Sequence, residues 1–220
     1  MAKMIVFEGI SGSGKSYLID ALISQNRQCE FIKWFDNGLT IDLLSNIQKM
    51  MPVSHDFFSV CYALDFYGKY KYKIEPELGR KNLILHRYIY TPLTHDAVRG
   101  SSQQFLKTLY DTSKFKEPEL IVYMVTSPEE AYRRIIQTRI PSFYECGLDC
   151  FLWDDLEQAK IDYKNNVFST EILKSYYLDF QNQIQEQYDT IFKNKTNVLK
   201  VYPKADINEY VEYISTFLQR

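Results

Sequence analysis

The chain has 220 residues, 45% of them hydrophobic and 25% charged, enough to bury the core of one α/β unit. A formal charge of −2 and a pI of about 6.0 give no electrostatic case for binding nucleic acid. No apolar run approaches the roughly 18–20 residues of a membrane span, and Met1-Ala2-Lys3 does not read as a signal peptide, so a cytoplasmic protein without membrane contact is expected.

From the N-terminus, Met4–Phe7 predicts a first strand, and the octet Gly9–Ser16 follows it as G-I-S-G-S-G-K-S, a complete Walker A match. A glycine-rich loop at the mouth of a helix offers backbone N–H groups and the positive end of the helix dipole to phosphate oxygens. Gly9, Ser11, Gly12, Ser13, Gly14, Lys15, Ser16 and Tyr17 are therefore expected to bind a nucleoside triphosphate, with ATP and Mg²⁺ as cofactors. Lys15 reaches the β- and γ-phosphates in this reading, and the Ser16 hydroxyl is the expected metal ligand. Tyr17–Ile23 continues as the helix the motif requires.

Further strands are predicted at Cys29–Trp34, Leu83–Leu85, Leu120–Val125 and Val198–Val201, with helical patterns between them. Phe57, Val60, Cys61 and Leu64 share one helical face, as do Leu173, Tyr176, Tyr177, Phe180 and Ile184. Ser127-Pro128-Glu129-Glu130 reads as a helix start, with an N-cap serine, proline at the first position and acids in the first turn. Apolar strands alternating with helices imply a parallel sheet covered on both faces, whose ligands lie beyond the carboxyl ends of the strands. Cys29, Cys61, Cys146 and Cys150 are scattered, and Cys146-x3-Cys150 has no second pair to complete a metal site, so free thiols are expected. No linker or repeat interrupts the pattern, which predicts a single domain over residues 1–220.

Several blocks together resemble the thymidylate kinases. These are Phe7-Glu8-Gly9 joined to the loop, Arg87-Tyr88 at the end of the third strand, and Pro118–Tyr123 leading into Ser127–Ile135. The blocks agree in order and spacing over about residues 3–140, whereas the C-terminal third agrees only in helical pattern and in the segment Phe180–Tyr188. The resemblance implies a P-loop NTPase fold, a five-stranded parallel sheet of order 2-3-1-4-5 flanked by helices, a lid at about 138–150, and a homodimer. It also implies a nucleoside monophosphate kinase acting on small nucleotides.

Residue by residue, the resemblance makes Arg87 the clamp on the acceptor phosphate and Tyr62 the aromatic beneath the acceptor base, although Tyr62 equally suits the core. Tyr88, His95 and Arg99 fall on the acceptor side, Arg99 as a second anion contact. Arg139 lies in the lid segment; because Ser11 and Ser13 carry no charge, it is the expected cation for the transferring phosphoryl group. Glu8 is either a general base for a hydroxyl acceptor, as in the related deoxynucleoside kinases, or an acid that orients Arg87 and the loop.

Four positions depart from the family pattern. His86 stands where the family has the aspartate of D-R-Y, and a neutral imidazole is a poor partner for Mg²⁺; either another carboxylate compensates, with Glu8 and Asp96 nearest in the pattern, or catalysis is weakened. Phe66 stands at the arginine that reads the thymine edge, and His95-Asp96 replaces a Tyr-Gln pair. Base readout is thus not the thymidylate pattern. The readings that remain are a monophosphate kinase, a deoxynucleoside kinase, and a nucleotide-binding protein without turnover.

Overall fold

The computed structural model describes residues 2–33, 54–151, 155–202 and 206–220. Five strands form one all-parallel sheet: β1 (Met4–Glu8), β2 (Glu30–Lys33), β3 (Leu83–His86), β4 (Leu120–Met124) and β5 (Val198–Val201). Their order is β2-β3-β1-β4-β5, as the resemblance implies. Each strand lies within a residue or two of its expected span, and Trp34 falls outside the described residues.

The central strands are buried from end to end, which is why they read as unbroken apolar runs. Side chains alternate between faces. Ile5 and Phe7 pack with Leu18 and Leu22 of helix α1 (Lys15–Gln25) and Val211, Ile214 and Leu218 of the C-terminal helix. Met4 and Val6 point the other way, into a larger cluster with Phe66, Tyr88, Tyr177, Phe180 and Tyr188. Each buried side chain of this size contributes about 1.5–3 kcal/mol.

The second face is roofed by helices α2 (His55–Lys69), α3 (Tyr90–Val98) and α8 (Thr170–Phe192), the last of 23 residues. Leu173, Tyr177, Phe180 and Ile184 are buried as their spacing requires, with Tyr176 at the margin. On α2 the helix forms, but the face expected to be apolar and inward is turned outward: Phe57, Val60 and Leu64 are exposed. The buried side of α2 is Ser59, Cys61, Asp65 and Phe66. Phe66 there meets the rings of Phe115, Tyr88 and Tyr110 at 5.0, 5.4 and 5.9 Å, which explains why it, rather than its flashier neighbours, faces in. Helix α5 (Pro128–Ile136) starts as predicted, the Glu130 amide donating to Ser127 Oγ at 3.3 Å. Between α3 and α5 lies α4 (Gln103–Leu109), and after α5 come α6 (Leu148–Phe151) and α7 (Leu156–Lys164).

Candidate active site

The carboxyl ends of β1, β3 and β4 converge on the loop Gly9–Gly14. Gly12 and Gly14 have φ of +76° and +96°, and a Cβ on Gly12 would lie 2.7 Å from the Ala131 carbonyl of α5. Only glycine satisfies both demands. The first intrahelical bond of α1 runs from Leu18 N to Gly14 O; the amides of Lys15, Ser16 and Tyr17 therefore precede it and face outward for an anion. Lys15 Nζ donates to the carbonyls of Gly9 (2.8 Å) and Ile10 (2.7 Å) and to Ser13 Oγ (3.1 Å). Burial, then Arg87, pushes its pKa well down.

The loop is gripped from the far end of the chain. Tyr177 on α8 donates to Ser11 O at 2.6 Å, and the Ser11 amide donates to Gln181 Oε1 at 3.1 Å. Gln181 Nε2 donates in turn to Glu145 O, at 2.8 Å.

Glu8, fully buried at the end of β1, accepts from the Tyr88 amide (2.7 Å), Thr91 Oγ1 (2.7 Å) and Tyr188 OH (2.8 Å). Burial raises its pKa, against the pull of Arg87 and those bonds. Arg87 leaves β3 with a φ of +74°, a left-handed conformation that costs a non-glycine residue about 1–3 kcal/mol. Its amide donates to Phe7 O at 3.0 Å, and its guanidinium donates to Thr91 Oγ1 (3.1 Å) and Tyr188 OH (3.4 Å). The strained backbone thus points one cation into the cleft while the hydroxyl pair connects it to Glu8. Tyr88 itself is a core residue: its ring is buried and its hydroxyl donates to Lys116 O at 3.0 Å, so the main chain alone serves the site.

A cleft of about 390 Å³ opens over the loop, lined by Ser11–Tyr17 together with His86, Arg87, Arg134, Arg139 and Glu145, among others. Arg134 is the cation that sequence reasoning missed. Its Nη1 lies 3.5 Å from Ser13 O while its Nε donates to Glu130 at 2.8 Å. The signal was present: Arg134 sits one helical turn after Glu130, on the α5 face that meets the loop at Ala131 and Ile135.

Arg139, in the segment expected to be a lid, makes a bidentate pair with Glu145, at 2.6 and 2.7 Å. Against the cost of burial, Arg139 and the Ser142 amide hold the Glu145 carboxyl below its ordinary range. Gly147 has a φ of +65° and would drive a Cβ to 2.5 Å from Phe180, so the segment after Arg139 is seated directly on α8. Arg139→Ala is expected to lower kcat about 10–100-fold with little change in either KM, the signature of a contact made chiefly in the transition state. Steady-state kinetics on the variant check this; unchanged kcat transfers the role to Arg134.

On the side expected to take the acceptor, α3 carries His95, Asp96 and, at its C-cap, Arg99. His95 Nδ1 lies 2.9 Å from Thr91 O, and burial, with Arg87 and Arg99 behind it, keeps the imidazole neutral. Arg99 does not line the phosphate cleft: its Nε donates to Asp149 Oδ2 at 2.7 Å, and its guanidinium carbon lies 5.1 Å from the centre of the Phe180 ring. Tyr62 is half-buried in the field of Arg99, Asp96 and Asp149, its hydroxyl pKa raised by burial to about 12. Phe66, in the core, presents nothing to a base.

The loop, the open first turn of α1 and the Ser16 hydroxyl fit a triphosphate with Mg²⁺, an ion that takes oxygen ligands and keeps several waters. Compensation for His86 does not come from Glu8 or Asp96 in this arrangement. Glu8 holds three donors, and neither residue lines the cleft, whose carboxylate is Glu145. His86, half-buried, has its pKa pushed down to about 3 by burial and then by Lys15 and Arg87, so it carries no charge at neutral pH.

No family model matches the chain. It is 28% identical over 203 residues to a probable thymidylate kinase 2 of Saccharolobus solfataricus, an alignment covering 90% of this chain and 86% of that one. A probable thymidylate kinase of Methanococcus maripaludis is 27% identical over 135 residues, 61% of this chain and 66% of the relative. The crystal structure of thymidylate kinase from Ehrlichia chaffeensis superposes with a TM-score of 0.60 and 15% identity, covering 100% of this chain and 99% of that one, and shows the shared fold. In sequence and in fold the chain resembles the thymidylate kinase-like P-loop kinases. No helix among the described residues is long and apolar enough to cross a membrane.

Proposed function

We propose that residues 1–220 act as one unit that transfers the γ-phosphoryl group of ATP·Mg²⁺ to a nucleoside monophosphate. The acceptor phosphate oxygen forms the new P–O bond, the bond to the β-phosphate oxygen breaks, and ADP and a nucleoside diphosphate leave. The observation that carries this reading is the division of charge. Lys15, Arg87, Arg134 and Arg139 line one cleft, while Glu8 is buried behind Arg87 with three donors already bound. A hydroxyl acceptor needs a general base; a phosphate acceptor is already an anion and needs cations that position it. The names of the relatives support the same class.

When bound, Mg²⁺ supplies charge neutralisation at the β- and γ-oxygens. Ser16 would hold it, and the amides of α1 with Lys15 would hold the phosphates. Arg87 grips the acceptor phosphate in a planar fork. The lid, docked on α8, brings Arg139 over the loop and excludes water. An ADP-release assay with nucleoside monophosphates and nucleosides tests the reading: turnover with nucleosides alone sinks it.

A protein that binds nucleotide but has lost turnover is favoured by one observation, the uncharged His86 where the family has a metal-positioning acid. If His86 weakly replaces that acid, His86→Asp is expected to lower the Mg²⁺ concentration for half-maximal rate several-fold, because a carboxylate adds an anionic acceptor to the ion's water shell. A Mg²⁺ titration of both proteins checks it. Unchanged Mg²⁺ dependence with a raised acceptor KM would place His86 on the acceptor instead.

A further inference from the structure

We propose that the acceptor base carries an exocyclic amino group which donates to Asp96 and Asp149, so that guanine, adenine or cytosine monophosphates are preferred to thymidylate and uridylate. The inference rests on the monophosphate-kinase reading above and names its substrate class.

Asp96 is 5% exposed and Asp149 is 8% exposed. Each has one oxygen engaged, Asp96 by Ser59 and Asp149 by Arg99. The other oxygen of each, Asp96 Oδ2 and Asp149 Oδ1, is buried without a hydrogen-bond partner. Buried acceptors are normally satisfied, and two orphans on neighbouring carboxylates point to donors brought by a ligand. Tyr62, the aromatic expected beneath the base, lies in the electrostatic field of the same two acids and of Arg99.

Thr91 bonds Arg87, the expected phosphate clamp; Asp96 lies five residues further along α3, about 7.5 Å along the axis and about 140° around it, on the side where Arg99 and Asp149 act on it. The chemistry then discriminates. The pairing edge of thymine or uracil is one N–H flanked by two carbonyl oxygens, and a carbonyl facing a buried carboxylate sets acceptor against acceptor. An amino group offers two N–H donors. Guanine fits most fully, because its adjacent ring N–H and amino group are donors and its carbonyl is left for Arg99. No arginine at position 66 offsets this, since Phe66 is packed in the core. Asp149 belongs to α6 of the lid, so the base is read by the same segment that carries Arg139 over the phosphates.

The test is the initial rate with ATP·Mg²⁺ and GMP, AMP, CMP, UMP, their deoxy forms and dTMP. The best amino-bearing acceptor should exceed dTMP and UMP in kcat/KM by at least about tenfold, the scale set by leaving a buried polar group unpaired. A preference for dTMP or UMP overturns the inference but leaves the monophosphate-kinase reading standing. Absence of turnover with every monophosphate sinks that reading instead, and base preference is then judged by thermal shift with the same panel. A larger rise with an amino-bearing base supports the inference; an equal rise with dTMP, or none with any, overturns it. Asp96→Asn, or Asp149→Asn should the first not fold, should lower kcat/KM for the amino-bearing acceptor at least about tenfold relative to dTMP while the KM for ATP holds. An equal loss for all acceptors would mean a structural role and overturn the assignment.

Discussion

Lys15→Ala is expected to cut turnover by at least about 10²–10³-fold, the usual loss when a cation aimed at the transferring phosphoryl group is removed. The fold should survive it. Lys15 makes its bonds to two loop carbonyls and one hydroxyl, and its burial works against its charge. The side chain is therefore held for the phosphates at some cost to the loop, and alanine relieves that cost as it removes the bonds. Circular dichroism should show wild-type helix content and a melting temperature within a few degrees of wild type. Retention of more than about a tenth of the wild-type rate would mean that Arg87, Arg134 and Arg139 suffice without it.

Glu8 separates structure from chemistry through a pair of variants. In Glu8→Gln the amide oxygen still accepts from the Tyr88 amide, and the new NH₂ donates to Thr91 Oγ1 and Tyr188 OH, hydroxyls that accept as readily as they donate. The network stays satisfied, so kcat should remain within about tenfold of wild type if the acceptor is a phosphate. Glu8→Ala strands a buried amide and leaves Arg87 without its counter-charge, and should lose about 3–5 kcal/mol of stability. For a chain of this size that is on the order of a 10 °C fall in melting temperature, read by calorimetry. A Gln variant that folds normally yet loses turnover more than about a hundredfold would restore Glu8 as a general base and with it a hydroxyl acceptor.

The parts of the molecule legible in its sequence are those governed by neighbours in the chain. The strands, the phosphate loop and the Ser127 cap depend on short-range pattern, and they stand within a residue or two of their predicted places. Helix α2 was legible as a helix but not in its orientation. Periodicity finds a face, and the packing of Phe66 among Tyr88, Tyr110 and Phe115 decides which face turns inward. The place of Arg139 beside the loop was legible, whereas its pairing with Glu145 was not. The linkages from Glu8 to Tyr188 and from Arg99 to Asp149 join residues 180 and 50 positions apart; nothing local marks either partner. Arg134 escaped notice for the opposite reason, because an arginine following a glutamate on a helix reads as ordinary surface charge.

The grip of helix α8 on the phosphate loop also dictates when the site comes into being. Ser11 is tied to Tyr177 and Gln181, 166 and 170 residues later, and Glu8 to Tyr188. The motif that defines the nucleotide site leaves the ribosome long before the groups that hold it in shape. Contacts of such separation pay the loop-closure entropy of most of the chain before they form. The emerging N-terminal half can pair β1 with β3 and wind α1, but its glycine loop lacks the bolts that fix its carbonyls, and its buried acid lacks one of its three donors. The cradle is therefore finished only after helix α8 has been made and docked, and that helix acts as the closing clasp on the eight residues of the loop motif.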